Sequence, residues 1–323
     1  MEYVFIINPV AGKCDRSEEL IPQIQAAAKA AEIPAENLHI HKTEYKGHAA
    51  ELARQAAEKG GPVQIYTAGG DGTFNEALCG VLGCKNAAVG LLPYGSGNDF
   101  LRSFGTREEF LDVEGQLRGG VMPIDLIKTQ RGYAAAICSA GLDAQVAYGI
   151  PAFRRIPLCG GEMAYKLSLL KQLTGKRGHR LAFTIDGKHF EEDCLMVAVC
   201  NGHAYGGGFI AAPEAKLDDG ILDVLVVRDI PFRTILKAVP KYQKGEHFRN
   251  GAIIPELSEA ILYYPAHEVE IHLAQRTKRP LIVNVDGECG PDDTLYAHVE
   301  PLAARILLPE AVFARQKKPA VSQ

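Results

Sequence analysis

The sequence predicts a two-domain protein: an α/β domain with a doubly wound, mostly parallel sheet, then an all-β, sandwich-like domain. The length of 323 residues suggests two domains. Up to residue 126, apolar strand-like runs alternate with amphipathic helical stretches, which is typical of a parallel sheet. From Tyr133 onward, short β-branched runs separated by turns mostly replace that pattern. We therefore predict domains at 1–126 and 127–309, with a tail at 310–323 that can return to the first domain.

The composition is that of an ordinary globular protein, with 47% hydrophobic and 23% charged residues. A net charge of -4 argues against nucleic acid as a partner. No apolar run reaches the ~18 residues that a transmembrane helix needs. The amino terminus lacks a basic region, and the eight cysteines are scattered without a Cys-x-x-Cys pair. These features predict a cytoplasmic protein without a transmembrane segment.

The first strand, Tyr3–Ile7, ends in a polar turn that contains Asn8, Pro9, Gly12 and Lys13. The turn lies at the carboxyl end of its strand, where doubly wound folds bind ligands. It lacks the spacing of a P-loop, so a plain strand-to-helix loop with a solvated lysine is the alternative. A helix from Ser17, a second strand ending at Thr43 and a helix from His48 follow in the sequence.

The third strand leads into a glycine-rich turn and then a helix. The turn and the start of the helix contain Gly69, Gly70, Asp71, Gly72, Thr73 and Asn75. Glycines allow phosphate to approach backbone N–H groups at the start of a helix. The carboxylate of Asp71 would repel phosphate unless a cation such as Mg²⁺ lay between them, which favours a nucleotide with its metal. A glycine-rich turn in which Asp71 caps the helix is the alternative.

The fourth strand, Ala87–Pro93, ends in a second polar turn with Gly95, Ser96, Asn98 and Asp99. Asn98 or Asp99 could simply cap the following helix. Two glycine-rich polar loops at neighbouring strand ends are nevertheless hard to explain by capping alone.

These three turns resemble the signature of the diacylglycerol kinase catalytic family, which includes bacterial soluble diacylglycerol and related lipid kinases and the sphingosine and ceramide kinases. The resemblance covers essentially the whole chain. The Gly69–Gly72 pattern is shared with NAD kinases and, in variant form, phosphofructokinases, so the first domain is expected to have that fold. The Gly95–Phe100 pattern is more specific to lipid kinases.

The resemblance implies that ATP is the phosphoryl donor and that Mg²⁺ is required. It also implies a water-mediated network that links Asp71 and Asp125 to Mg²⁺. The implied nucleotide contacts are Asn8, Pro9, Gly12, Lys13, Thr43, Gly69, Gly70, Asp71, Gly72, Thr73, Asn75, Gly95, Ser96, Asn98 and Asp99.

The second half contains two further carboxylate motifs. Asp218-Asp219-Gly220 is a common turn sequence, but the resemblance implies a structural Mg²⁺ held by the Asp219 side chain and the carbonyls of Lys216 and Ile221. Asp286-Gly287-Glu288 is a hairpin signal. In the family, Asp286 and Glu288 correspond to a general base and its partner, and spacing does not decide which one acts.

The sequence is thus interpreted as a lipid kinase that phosphorylates the hydroxyl of diacylglycerol or a related lipid alcohol. An NAD kinase-like enzyme and a non-catalytic nucleotide- or lipid-binding regulator are the alternatives. We expect a lipid alcohol at the membrane surface as the partner, transient contact with the inner face of the membrane, and no nucleic acid. The segment 154–180, with seven basic residues and one acidic residue, is either a membrane contact or a solvated helix face. Oligomeric state is left open, a homodimer included.

Overall fold

The computed structural model describes residues 1–95, 97–154, 167–168, 171, 178–275, 277 and 279–317. The chain divides into two compact units, Met1–Asp125 with Pro301–Gln323, and Leu126–Glu300. In chain order, the described residues form helices α1 (Ser17–Ala30), α2 (His48–Glu58), α3 (Asp71–Gly80), α4 (Arg107–Leu111), α5 (Val113–Leu117), α6 (Leu142–Arg154), α7 (Phe232–Gln243) and α8 (Glu310–Gln316).

The strands, in the same order, are β1 (Glu2–Ile7), β2 (Leu38–Lys42), β3 (Val63–Gly69), β4 (Ala87–Pro93), β5 (Gly120–Thr129), β6 (Gly132–Ala134), β7 (Ile137–Gly141), β8 (His179–Ile185), β9 (Lys188–Cys200), β10 (Ala204–Tyr205), β11 (Phe209–Ile210), β12 (Leu222–Arg228), β13 (Phe248–Arg249), β14 (Ala252–Ile253), β15 (Ile261–Ala266), β16 (Glu268–Leu273), β17 (Leu281–Val285), β18 (Glu288–Asp292) and β19 (Thr294–Leu308).

The first unit is built on a parallel sheet in the order β2-β1-β3-β4, which the end of β19 extends beside β4. Phe5 on β1 pairs with Ile40 on one side and with Tyr66 on the other. Strands β3 and β4 are buried along almost their whole length, as near-continuous apolar runs require. The predicted doubly wound α/β domain is confirmed.

Helices cover both faces of this sheet. The Phe5 and Tyr66 rings stack with centroids 4.8 Å apart, in a core cluster that includes Leu20 and Ile24 of α1. Helices α2 and α3 pack against each other so closely that a Cβ on Gly80 would lie 2.3 Å from the Ala50 carbonyl oxygen. Because parallel crossovers are right-handed, α1 and the α2–α3 pair lie on opposite faces of the sheet. The carboxyl ends of the strands form the edge at which such folds bind ligands.

The carboxyl-terminal part of the first unit packs on its sheet. Val312 of α8 is fully buried, and a Cβ on Gly120 would lie 2.0 Å from the Phe313 ring. Arg315 forms an ion pair with Glu109 of α4 and lowers the pKa of that carboxyl to about 2. Helix α8 is therefore part of the first unit.

The second unit is built on an antiparallel sheet in the order β18-β17-β7-β9-β8-β16-β19. The first half of β9 pairs with β8, and its second half pairs with β7 on one side and β12 on the other, so that the sheet branches. Alternate residues such as Val197, Val199 and Val224 form the core. The predicted β-rich second domain is confirmed.

This unit is β-rich but not all-β, because α6 and α7 also belong to it. Helix α7 was not predicted, although Ile235, Ala238 and Tyr242 recur at helical spacing and are buried. Its β-branched residues and internal Pro240 are poor helix formers, and the tertiary contacts of its buried side override that preference. Most of the basic segment 154–180 lies outside the described residues.

Candidate active site

The glycine-rich turn after β3 is fastened to the turn after β4. Gly69 ends β3 and Asp71 begins α3. The Gly69 carbonyl accepts hydrogen bonds from the backbone N–H groups of Tyr94, at 2.9 Å, and Gly95, at 2.8 Å. A Cβ on Gly95 would lie 2.3 Å from the Cα of Gly70. Glycine is therefore required because two backbones touch at this point.

The turn after β4 is held by Asn98. This residue has a positive φ of 55°, which asparagine tolerates better than most residues, and its side chain is almost fully buried. Its Nδ2 donates to the Gly95 carbonyl at 2.7 Å. Its Oδ1 is buried and has no hydrogen-bond partner within the ranges described above. Ser96, a predicted nucleotide contact, lies outside those ranges.

The carboxylate of Asp71 binds the second turn. Its Oδ2 accepts from the Asp99 N–H at 3.1 Å, and its Oδ1 accepts from the Phe100 N–H at 3.2 Å. Burial raises the pKa of the Asp71 carboxyl, and the N–H groups of Phe100, Asp99 and Asn98 oppose that shift. Asp71 thus caps the helical turn that begins at Phe100, not the helix that it starts.

The turn after β1 joins the same assembly. The Asn8 Nδ2 donates to Thr73 Oγ1 at 2.9 Å, and the Asn8 Oδ1 accepts from the Val10 N–H at 3.1 Å. Gly12 has a φ of 77°, and a Cβ there would lie 2.6 Å from the Tyr94 carbonyl oxygen. Three predicted loops therefore meet at one edge of the sheet, as the strand order requires.

The remaining predicted contacts are distributed around this edge. The Thr43 N–H donates to the Ile7 carbonyl at 2.8 Å, which fixes the end of β2 beside β1. Pro9 and Asn75 are half-buried, whereas Lys13 and Gly72 are exposed. One cation at the edge was not predicted: the Arg107 Nη1 lies 3.5 Å from the Gly95 carbonyl oxygen. Arg107 lies 12 residues after Gly95 in the sequence, and no local sequence pattern predicts its place at this edge.

Asp125 is the last residue of the first of the two chain segments that form the first unit, and it is fully buried. Its Oδ1 accepts from the Leu302 N–H at 2.7 Å, at a residue with a positive φ of 50°. In the described residues, no group of three or more His, Cys, Asp or Glu side chains could hold a metal ion. A Mg²⁺ ion linked to Asp71 and Asp125 therefore stays a prediction.

In the second unit, Asp286 and Gly287 form the two-residue turn between β17 and β18. Both have positive φ, 43° and 91°, as a type I′ hairpin turn requires. The Asp286 carboxylate accepts from three successive backbone N–H groups, those of Ala135 at 2.6 Å, Ala136 at 3.2 Å and Ile137 at 2.8 Å. Asp286 therefore holds the β6–β7 connection through its carboxylate.

Glu288 has a different environment. It is the first residue of β18, pairs with Val285 and is exposed. The Asn284 Oδ1 accepts from the Gly287 N–H at 2.8 Å and so fixes the turn that presents Glu288. The two carboxylates thus lie on different parts of the hairpin, one turned into backbone donors and the other facing solvent.

The predicted metal loop is a tight turn. The Asp219 Oδ1 accepts from the Ile221 N–H at 3.1 Å, and Gly220 has a positive φ of 72°. Burial raises the pKa of the nearby Asp223 carboxyl, and the carboxylates of Asp219 and Glu214 add to that shift. The negative charge and the oxygen donors, among them the predicted carbonyls of Lys216 and Ile221, suit Mg²⁺.

A parallel sheet with three interlocked polar loops at its carboxyl edge is the arrangement typical of enzymes that bind nucleotides. Residues 2–129 match the diacylglycerol kinase catalytic domain, and residues 136–308 match the YegS C-terminal NAD kinase beta sandwich-like domain. The chain belongs to this diacylglycerol and lipid kinase family, whose members use ATP.

Two relatives illustrate the similarity. A "Diacylglycerol kinase" of Bacillus subtilis is 27% identical over 302 residues, which cover 91% of this chain and 93% of the relative. A "Probable lipid kinase YegS-like" protein of Chromohalobacter salexigens is 29% identical over 296 residues, 90% of each chain. A crystal structure of a diacylglycerol kinase from Bacillus anthracis has the same fold, with a TM-score of 0.68 and 21% identity, and covers 96% of this chain and 98% of that one.

No described helix is long and apolar enough to cross a bilayer.

Proposed function

We propose that this lipid kinase transfers the γ-phosphoryl group of ATP to the free hydroxyl of diacylglycerol and so forms phosphatidic acid. The observation that carries the proposal is the direct backbone contact between the Gly69–Thr73 and Gly95–Phe100 loops. The first loop alone would fit any kinase of the wider fold, whereas the second is the pattern typical of lipid kinases. Their contact supports the proposal that both loops bind phosphate at one edge of the sheet.

In this proposal, ATP lies along the carboxyl edge of the first unit's sheet. The backbone N–H groups at the start of α3 bind phosphate oxygens, and the helix dipole favours the negative charge there. The buried Oδ1 of Asn98, which has no described partner, is an acceptor for a nucleotide N–H or a metal-bound water. Arg107 adds a positive charge beside Gly95.

Mg²⁺ would be held at this edge by Asp71, with Asp125 as its more distant partner, and would neutralise charge that develops on the transferred phosphoryl group. The residues fit this role in part. Asp71 is a half-buried carboxylate beside a phosphate-type loop, and its partial burial makes the charge costly without a cation. A second Mg²⁺ is proposed at the Asp219 loop, where it would relieve repulsion between neighbouring carboxylates and stabilise the second unit.

We further propose that Glu288, not Asp286, is the general base. The oxygens of Asp286 already accept three backbone N–H groups, so they are poorly placed to accept a further proton. Glu288 is exposed at the start of β18 and can face a substrate. In the reaction, Glu288 accepts the proton of the lipid hydroxyl, the hydroxyl oxygen bonds to the γ-phosphorus, and the bond from that phosphorus to the bridging oxygen breaks, which releases ADP.

The acceptor is tested with γ-labelled ATP and a panel of diacylglycerol, ceramide, a sphingoid base and NAD. The proposal predicts the highest kcat/KM for diacylglycerol, with label in phosphatidic acid. Highest activity on ceramide or a sphingoid base would keep the lipid kinase and change its substrate. Label in NADP alone would contradict the proposal. ATP binding without transfer to any acceptor would favour a non-catalytic regulator.

A further inference from the structure

Helix α7 of the second unit has a surface of unusually uniform charge. Four basic residues point away from the core along one side of the helix, and we call them the basic face. The basic face consists of Arg233, Lys237, Lys241 and Lys244. At about 100° per residue, all four fall within an arc of about 80°. Three of them are exposed and Lys241 is half-buried.

The opposite side of α7 anchors the helix. Ile235, Ala238 and Tyr242 are 5%, 9% and 8% exposed, and the Tyr242 ring packs 4.7 Å from that of His247. Because this side is held by the core, the basic face is fixed toward solvent. Pro240 is exposed and lies within about 20° of Arg233 around the helix, so it adds apolar surface beside the cations.

Acidic residues do not neutralise this surface. No Asp or Glu lies between Asp229 and Glu246, although the chain as a whole has a net charge of -4. In the described part of the chain, no side chain of the basic face forms a hydrogen bond or ion pair. The nearby Glu214 carboxylate already accepts from the backbone N–H groups of Asn250 and Gly251. An isolated cationic stripe on an acidic protein indicates an anionic partner.

We propose that the basic face of α7 docks the enzyme on a bilayer that contains anionic lipid. The proposal rests on the proposed function, since a long-chain lipid alcohol resides in a bilayer. Lysine and arginine side chains bind anionic headgroups, and the exposed Pro240 can contact the interface beside them. Nucleic acid would match the charge alone, but the overall acidity of the chain disfavours it.

The test measures binding of the full chain to sucrose-loaded vesicles by sedimentation, without turnover. One set of vesicles is phosphatidylcholine, and the other contains 30 mol%, or roughly a third, of phosphatidylglycerol. We expect binding to the anionic vesicles only, and weaker binding as salt rises from about 0.05 to 0.3 M. Each cation near the surface contributes about fivefold in affinity, so Lys237→Gln with Lys244→Gln should weaken binding roughly 25-fold.

Two controls keep the test specific. Lys59→Gln with Lys188→Gln removes the same charge from exposed sites elsewhere and should bind as the wild type does. Lys237→Arg with Lys244→Arg keeps the charge and should also bind normally, so it remains informative if the glutamine variant folds poorly. All variants should phosphorylate a short-chain, water-soluble diacylglycerol at the wild-type rate. If the wild type does not phosphorylate this short-chain diacylglycerol, the result contradicts the proposed function and leaves the docking surface untouched.

Three results would overturn the docking proposal. The first is equal binding of neutral and anionic vesicles. The second is wild-type vesicle binding by the glutamine variant at low salt. The third is a glutamine variant that still binds vesicles but has a changed oligomeric mass or no longer binds nucleic acid. Such a result would assign the basic face to another partner.

Discussion

Substitution of Asp286 and Glu288 should separate a carboxylate that holds the fold from the proposed general base. Asp286→Ala leaves three backbone N–H donors, those of Ala135, Ala136 and Ile137, without their acceptor. An unsatisfied donor costs about 1–3 kcal/mol when water cannot replace the acceptor. The turn also needs a positive φ at residue 286, which costs alanine about 1 kcal/mol more.

Asp286 is half-buried, so water can reach part of the site and the lower end of these values applies. We therefore expect Asp286→Ala to lower the free energy of unfolding of the second unit by about 3 kcal/mol or more. Asp286→Asn keeps one acceptor oxygen and tolerates the positive φ, so it should lose about 1–2 kcal/mol. Glu288→Gln changes an exposed residue and should stay within about 0.5 kcal/mol of the wild type.

The catalytic effects should run in the opposite order. Removal of a general base lowers kcat by roughly 10²- to 10⁴-fold, so Glu288→Gln should be folded and nearly inactive. Asp286→Asn should retain more activity than Glu288→Gln. Urea unfolding followed by circular dichroism gives the stabilities, and initial rates with saturating ATP and diacylglycerol give kcat. A stable, inactive Asp286→Ala together with an active Glu288→Gln would refute the assignment of both residues.

Three further predictions concern packing, pH and metal. Gly95→Ala places a Cβ 2.3 Å from the Gly70 Cα and should weaken ATP binding measured by calorimetry. In the control Gly61→Ala, the new Cβ has no atom within 4 Å, so ATP affinity should not change. Equal ATP affinities of the two variants would contradict the interlocked loops. Burial raises the pKa of the Asp143 carboxyl to about 6, so the folded state binds this proton more tightly than the unfolded state. The contribution of the Asp143 carboxyl to the free energy of unfolding is therefore greatest below about pH 4 and declines until about pH 6. Because asparagine does not titrate, the free energy of unfolding of Asp143→Asn should rise by up to roughly 3 kcal/mol relative to the wild type between pH 4 and 7.5. A gain that does not depend on pH would contradict the buried, titrating carboxyl. Mg²⁺ should raise the Tm of the wild type but not of Asp219→Ala, compared at equal ionic strength; the same rise in both would exclude a structural ion at this loop.

The fold was predictable because its signals are local. Near-continuous apolar strands and the glycine turns at Gly69 and Gly95 define a doubly wound sheet, and the strand order alone brings their loops to one edge. Helix α7 was not predictable by propensity, since its β-branched residues and Pro240 disfavour a helix and only the burial of Ile235 and Tyr242 compensates.

Spacing alone could not foresee the contacts that the structure gives to the candidate site residues. Asp71 caps a turn that begins 29 residues later, at Phe100, and Asp286 accepts from N–H groups about 150 residues away in sequence, at Ala135 to Ile137. Such long-range hydrogen bonds follow from tertiary packing and leave no periodic signal. The hydrogen bonds of Asp286 are also the basis for the proposal that Glu288 is the general base, a choice that the sequence alone left open.

The proposal that this lipid kinase phosphorylates diacylglycerol is tested most directly by the stoichiometry of its products. The purified protein is incubated with ATP, Mg²⁺ and a water-soluble diacylglycerol, and ADP and phosphatidic acid are quantified by mass spectrometry. We predict equal amounts of the two products, with no ADP formed when the diacylglycerol is omitted. Formation of ADP without phosphatidic acid, or of neither product by a folded protein that binds ATP, would contradict the proposal.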